Sequence, residues 1–374
     1  MQMHLFIVNE RTLPVHLEYG FAGVSKDKIE DPKDAPWLSH TDARQERPQV
    51  SLYADICRVK QGDELLFYLE KPGHDVGHEG GRFLGIFEVV SPLPFYEQRG
   101  AYLLQELGRP LIYRLLIRPK EIFQQGLTEW QTMDEMSDFK GVHDIPWTLI
   151  YRKMEGGRGC TPLLPHEALN IRKMLDLRNS GQRLNTPSVG FDSPNVRLEA
   201  GTATSTYQGS TTVFDRIDTH LKNLISANSR KWEIQLQAYL MQEIGRNQAL
   251  TQLLFPNVNL TWVGNEIFAG AGKQSIDILV FSENGLNTFI HLIELKSVVA
   301  DAEAAAQMNR YIKWLRAHIP GISVHQIIPT LIAPGVAQSF HDDMKVYLRG
   351  HGINQYKVIG IDQHLVFTPT VHLV

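Results

Sequence analysis

The chain has 374 residues, 43% of them hydrophobic and 21% charged, with 37 Lys and Arg against 41 Asp and Glu for a formal net charge of −4. That length exceeds a usual single domain and predicts two cores, while so mild an acidity neither supports nor excludes a nucleic-acid partner, because local patches outweigh the total. Two distant cysteines, Cys57 and Cys160, exclude a disulfide framework and a zinc knuckle and predict a reducing, cytoplasmic setting.

No run approaches twenty apolar residues, so no membrane association is expected, and Met1-Gln2-Met3-His4 lacks the basic start of a secretory signal. Residues 1–178 read as mostly β. Leu5 to Val8, Asp63 to Leu69 after the turn Lys60-Gln61-Gly62, Arg82 to Val90 and Leu111 to Ile117 are strand-like runs between Gly and Pro loops. They predict a small β-barrel, closed by an amphipathic helix from Pro165 to Leu177. His74 and His78 stand in a Gly-rich loop without cysteine or acid partners at ligand spacing, so that loop reads as a hairpin tip. Residues 179–212 are rich in Ser, Thr, Gly, Asn, Pro and Gln, show no periodicity and read as a flexible linker. No GxxxxGK[ST] occurs, so no NTP is expected as a partner.

Residues 213–374 read as α/β. Phe214 to Ile244 is predicted as one helix, with Trp232, Leu236, Tyr239 and Leu240 on a single stripe. Ser275 to Phe281 and His291 to Lys296 are apolar strands around the turn residues Glu283 to Asn287, which predicts a hairpin. An alanine-rich helix (Asp301 to His318) follows, then a strand (Val324 to Ile332), a helix (about Gly335 to Arg349) and a strand (Tyr356 to Ile361). The apolar tail Leu365 to Val374 resembles an edge that a partner covers, which predicts a homodimer through the C-terminal half.

Period two places Glu294 and Lys296 on one face of a strand, with Asp277 at the start of its partner. Two acids and a lysine at the ends of strands built from Ile, Leu, Val and Phe are costly unless something binds between them. Mg²⁺, with Mn²⁺ as a substitute, suits a pair of carboxylates completed by waters and a substrate phosphate. Lys296 would then orient or help deprotonate a water that attacks phosphorus.

Asp277, a hairpin, then Glu294-Leu295-Lys296 resembles the signature of the PD-(D/E)XK nuclease superfamily, with Ile276 where the proline usually stands. The resemblance implies a restriction-endonuclease-like α/β/α core, metal ligation by Asp277, Glu294 and Leu295, and catalysis by Asp277, Glu294 and Lys296. It further implies an acid on the upstream helix, Glu233 with Glu243 as runner-up, and Gln307 on the downstream helix with Tyr311 one turn later. Within the superfamily, Asp277-Ile278-Leu279, Ile293 to Lys296 and Gln307 to Leu315 look like the catalytic core of NucS/EndoMS-type endonucleases.

The first domain carries its own resemblance. Gly62 to Tyr68, Gly85 to Val90, Arg114 to Pro119 and Gly157-Arg158-Gly159 leading into Pro162 to Pro165 look like the EVE domain of the PUA superfamily. That implies a pocket for a flipped modified base, for which Trp37, Tyr53 and Asp55 are the candidates; base reading needs stacking surfaces with a few polar groups. The pairing predicts a modification-dependent DNA endonuclease that senses a modified cytosine. A repair endonuclease for mismatched or branched DNA is the first alternative, and a modified-nucleic-acid binding module on an inactive nuclease fold is the second.

Overall fold

The computed structural model describes residues 2–24, 43–70, 80–97, 102–134, 159–202, 205–213, 217–229, 232–270, 274–323 and 326–374. The chain forms two compact units, Met1–Asp215 and Arg216–Val374. Both mix helix and strand.

The first unit starts with β1 (Met3–Val8), α1 (Thr12–Tyr19), β2 (Phe21–Val24), α2 (Ala43–Cys57), β3 (Glu64–Leu69), β4 (Arg82–Val89) and β5 (Phe95–Tyr96). It continues with α3 (Leu104–Leu107), β6 (Tyr113–Glu121), β7 (Leu127–Thr128), α4 (Glu129–Asp134), β8 (Cys160–Pro162) and α5 (Pro165–Arg178). A hairpin of β9 (Val189–Asp192) and β10 (Arg197–Ala200) and the short β11 (Thr212–Val213) complete it. One curled sheet runs β11-β5-β6-β4-β3-β1-β8, with β2 added on β6 and β7 on β4. Among the described residues of this unit, only β1 and β3 pair in parallel. The curl has a local cause at Gly85. Leu66 pairs with Ile86 and Phe67 with Leu84, so Gly85 is an extra residue, and its φ of 61° is the left-handed backbone that a bulge of this kind takes. Inside the curl, Leu5, Leu66, Phe83, Ile86, Phe123 and Leu127 meet Ile171 and Leu175 of α5.

Residues 179–212 are not a free tether. Leu184 N–H donates to Ile122 O (2.7 Å) and Leu198 N–H to Gln124 O (3.0 Å), and Val189, Val196 and Leu198 are buried. Tyr207 packs against Phe21, Phe95 and Tyr102, and β11 pairs with β5. A few apolar anchors spaced along a polar stretch suffice to fasten it, and composition alone averages them away. The helical content is likewise larger than the mostly-β expectation.

The second unit contains α6 (Asp218–Ser226), α7 (Glu233–Glu243), α8 (Gln248–Leu254), β12 (Asn259–Phe268), β13 (Ser275–Asn284) and β14 (Asn287–Leu295). Next come α9 (Ala302–His318), β15 (Ile327–Ala333), α10 (Gln338–His351), β16 (Gln355–Ile361) and β17 (Phe367–Leu373). Its sheet runs β12 to β17 in sequence order. β12, β13 and β14 form an antiparallel meander, β14, β15 and β16 are parallel, and β17 returns antiparallel along β16. The single helix expected over 214–244 is two, because Asn228 takes a φ of 50° and ends the run after α6. The apolar tail packs back on its own sheet as β17, although Val371 and Leu373 remain exposed there. Helix α9 is fixed at its start by Asp301, whose side chain accepts the Glu303 N–H (3.0 Å), and it buries Ala304, Ala305, Met308, Tyr311, Ile312 and Leu315.

Candidate active site

The register of the hairpin builds the site. Ile278 pairs with Ile293, and carrying that count one residue further sets Asp277 opposite Glu294. The Asp277 carboxylate accepts the Leu295 N–H at 2.7 Å, so it caps the end of β14. Glu294 is 1% exposed. Lys296 Nζ donates to Glu294 Oε1 (2.6 Å) and to Gln307 Oε1 (3.2 Å), while its own N–H stays on β15 through Ile332 O (3.0 Å). Gln307 Nε2 in turn donates to Tyr311 OH (2.7 Å), which donates to Ser275 O (2.6 Å). Gln307 and Tyr311, one turn apart on α9, therefore tie the lysine to the start of the Asp277 strand.

Glu233, the first residue of α7, accepts both the N–H and the hydroxyl of Ser297 (2.9 and 3.2 Å), immediately after Lys296. Glu243 lies at the far end of the same helix, where it holds Asn247 (3.0 Å). Of the two acids, Glu233 is the one brought to the site.

The electrostatics are those of carboxylates crowded out of water. Burial, then the charges of Glu294 and Glu266, hold the Asp277 carboxyl well above the usual carboxylate range, against the pull of the Leu295 N–H and Lys296. Burial pushes Glu294 up to about 7, opposed by the charge and hydrogen bond of Lys296. For Lys296, burial works against the ammonium, but Glu294, then Asp277 and Glu233 outweigh it and raise its pKa. Burial also raises the Tyr311 phenol.

A divalent cation fits this donor set. Glu294 Oε2 is buried and has no hydrogen-bond partner among the described residues, although its sister oxygen holds Lys296. The available donors are hard oxygens: the carboxylates of Asp277 and Glu294, with Leu295 able to contribute only through its main chain. Among the described residues no group of three or more His, Cys, Asp and Glu is placed to hold a metal, so waters would complete the coordination, as Mg²⁺ prefers. Such a cation would stabilise charge on a phosphate and lower the pKa of a bound water. Lys296 Nζ, fixed from two sides, is a proton donor aimed at the same place.

The sequence reading left out Glu266 and Gln237. Gln237 Nε2 donates to Glu266 Oε1 (3.0 Å) and to Asp277 O (2.9 Å), and Ser275 Oγ donates to Glu266 Oε2 (2.8 Å). Extending the hairpin register to the strand before it would have found Glu266, since Asn265 pairs with Ile278 and Ile267 with Ile276.

The base-pocket candidates fare differently. Trp37 lies outside the described residues, as do His74 and His78. Tyr53 and Asp55 sit on α2 with no solvent exposure, Tyr53 against Tyr113 and Asp55 paired with Arg58 (3.4 Å). Stacking a base needs a reachable face, and neither side chain presents one. A cleft of about 110 Å³ opens elsewhere in this unit, lined by His16, Gly20, Phe87, Ile117, Arg118 and Val189. Burial pushes His16 down to about 3, so its ring is neutral, and it stacks on Phe67 (5.6 Å between centroids).

No family model and no curated protein matches the chain. Solved structures do. A repair endonuclease from Pyrococcus abyssi aligns at 19% identity over 31% of this chain and 45% of its own, with a TM-score of 0.22. The chain thus spans less than half the length of that protein. Human THYN1, solved in complex with 5-methylcytosine-containing DNA, aligns at 10% identity over 47% of this chain and 97% of its own, with a TM-score of 0.27. The MspJI restriction endonuclease, in complex with a 27-mer oligonucleotide, aligns at 12% identity over 90% of this chain and 67% of its own, with a TM-score of 0.22. Among the described residues no helix is long and apolar enough to cross a membrane.

Proposed function

We propose that this chain is a Mg²⁺-dependent DNA endonuclease whose first unit senses a modified base, a modified cytosine being the favoured mark, and whose second unit hydrolyses a phosphodiester. The observation that carries the reading is the arrangement at the end of β14: Glu294 is buried with one oxygen on Lys296 and the other without a partner among the described residues, opposite Asp277. A site that only stabilised the fold would do better with apolar side chains. In this reading Asp277 and Glu294 hold the cation, Mn²⁺ being able to replace Mg²⁺. Lys296 orients the attacking water and donates to the phosphate, Gln307 and Tyr311 fix the lysine, and Glu233 fixes the turn that follows it. A homodimer belongs to the same reading. One such site cuts one strand, and the exposed outer side of β17 offers an edge for a second copy.

The test is digestion of matched DNAs with and without modified cytosines, in Mg²⁺ and in EDTA. Cleavage is expected only with the cation and preferentially on modified DNA. Asp277→Ala should lower it by orders of magnitude, because metal and nucleophile positioning go together. Wild-type rates from Asp277→Ala would overturn the catalytic assignment, and equal cutting of both DNAs would overturn the sensing role.

A further inference from the structure

Helix α9 carries more than Gln307 and Tyr311 to the site. Its exposed side presents Arg310, Lys313 and Arg316 at every third position, and its one acid, Glu303, lies two turns before Arg310. Residues three apart are neighbours on a helix surface, about 4.5 Å apart along the axis, and like charges so placed repel. Cations in the last turn are favoured by the negative end of the macrodipole. That accounts for Arg316, which also donates to His351 Nδ1 (3.0 Å), but Arg310 and Lys313 come earlier in the helix.

Carboxylates do not account for them either. Among the described residues neither Arg310 nor Lys313 has an ion-pair partner. Arg310 is nevertheless held in place, because its Nε donates to Gln274 Oε1 (3.2 Å). A neutral amide fixes the guanidinium without cancelling its charge, and the two terminal nitrogens keep their N–H groups for the paired oxygens of a phosphate. Gln274 precedes Ser275, whose carbonyl accepts the Tyr311 hydroxyl, so the guanidinium stands beside the start of the Asp277 strand. Burial raises the Tyr311 phenol, and the charge of Arg310 is among the influences that pull it back.

The reaction asks for such charges. Asp277, Glu294 and Glu233 repel a strand that is negative at every phosphate, and a cation between them can answer only the phosphate being cut. The neighbouring phosphates need cations of their own. We propose that Arg310 and Lys313 bind backbone phosphates of duplex DNA beside the one at the cation site, so that α9 seats the strand as well as the lysine. The inference rests on the nuclease reading above and adds to it where the strand runs.

The experiment is fluorescence anisotropy of the full chain with a labelled duplex in EDTA over a series of KCl concentrations, the duplex carrying either cytosine or 5-methylcytosine. Each phosphate contact contributes about 0.9 to the slope of log affinity against log salt. Arg310→Gln and Lys313→Gln should each lower the slope by about that much, and the double variant by about twice as much. Both duplexes should weaken alike, because phosphate contacts carry no sequence information. Arg310→Lys, which keeps a charge, should lose less than Arg310→Gln. Lys222→Gln removes the same charge from α6, where Asp218 pairs with it (3.3 Å), and should keep the wild-type slope. A wild-type slope in the double variant, on DNA that the wild type cuts in Mg²⁺, would overturn this inference and leave the nuclease reading standing. So would an equal loss in Lys222→Gln, or a loss confined to the methylated duplex. Failure of the wild type to bind either duplex would overturn both.

Discussion

Replacing Glu294 by glutamine separates what the site costs the fold from what it gives to chemistry. The Glu294 carboxyl lies at about 7 in the folded chain against an ordinary 4.5, with burial as the main cause. Between those two values the folded state holds a proton that the unfolded state has released, so stability falls as pH rises through the window, and the loss is complete above 7. A gap of about 2.5 units at 1.36 kcal/mol each corresponds to about 3 kcal/mol, a large fraction of a domain's net stability. Glu294→Gln removes this dependence. In EDTA the variant should therefore gain on the wild type from pH 5 to pH 8 by about 3 kcal/mol. Glu294 is protonated at pH 5 and ionised at pH 8, and the attraction of Lys296 for the ionised form is already contained in the value of about 7, so it needs no separate allowance. Hydrogen–deuterium exchange over residues 275–295 reads the second unit without interference from the first. Saturating Mg²⁺ should reverse the ranking, because the wild type then gains the binding energy and the variant does not. An offset between the two proteins that is the same at pH 5 and pH 8 would refute the reasoning, whatever the variant does to cleavage.

His291 predicts the opposite pH sign. Burial and then Lys357 push it down to about 3 while Ser282 holds its Nε2 (2.8 Å), so its contribution is complete above 6.5 and lost as pH falls from there toward 3. At pH 5 the second unit should be weaker by about 2 kcal/mol for this reason alone, and His291→Gln should flatten that slope in denaturant titrations. Glu233→Ala should leave the global melting temperature within a few degrees but lower the cleavage rate roughly 10-fold or more, as outer-shell substitutions do, with wild-type turnover counting against a role for the Ser297 cap. A fragment ending at residue 178 should melt well below one ending at 215, because it removes the strands that cover Gln124 and Phe95; equal melting would show that β9 to β11 are dispensable.

What the sequence made legible follows the strength of local patterns. The hairpin around Asn284 to Asn287 and the alanine-rich helix rest on short-range periodicity, and the strands and helix stand within a few residues of the expected ends; period two also put Glu294 and Lys296 on one face, whereas the choice of Asp277, Glu294 and Lys296 as a set came from the resemblance to the PD-(D/E)XK signature. Glu266 escaped because its strand, Asn259–Phe268, has glycine, asparagine and threonine among its apolar residues, and only pairing with β13 shows where the acid points. The break after Ser226 was missed because the stripe that predicted the helix, Trp232, Leu236, Tyr239 and Leu240, begins after it and does not report on the residues before it. Tyr53 and Asp55 were chosen because the EVE resemblance places its pocket there, and the sequence carries no signal that α2 turns both inward, where Arg58 pairs with Asp55.

The hairpin of β13 and β14 carries its chemistry at one end and its turn at the other. Leu286 at the turn is fully exposed, and Asp277 lies seven residues from the turn end of β13, about 23 Å along an extended strand. Both native cysteines are buried. A thiol introduced by Leu286→Cys is therefore the one that a spin label or fluorophore would find, on a hairpin arm whose far end is the proposed cation site. Paramagnetic Mn²⁺ and a label at that tip would make the hairpin a ruler, reporting occupancy of the site as a distance in a molecule that need not turn over.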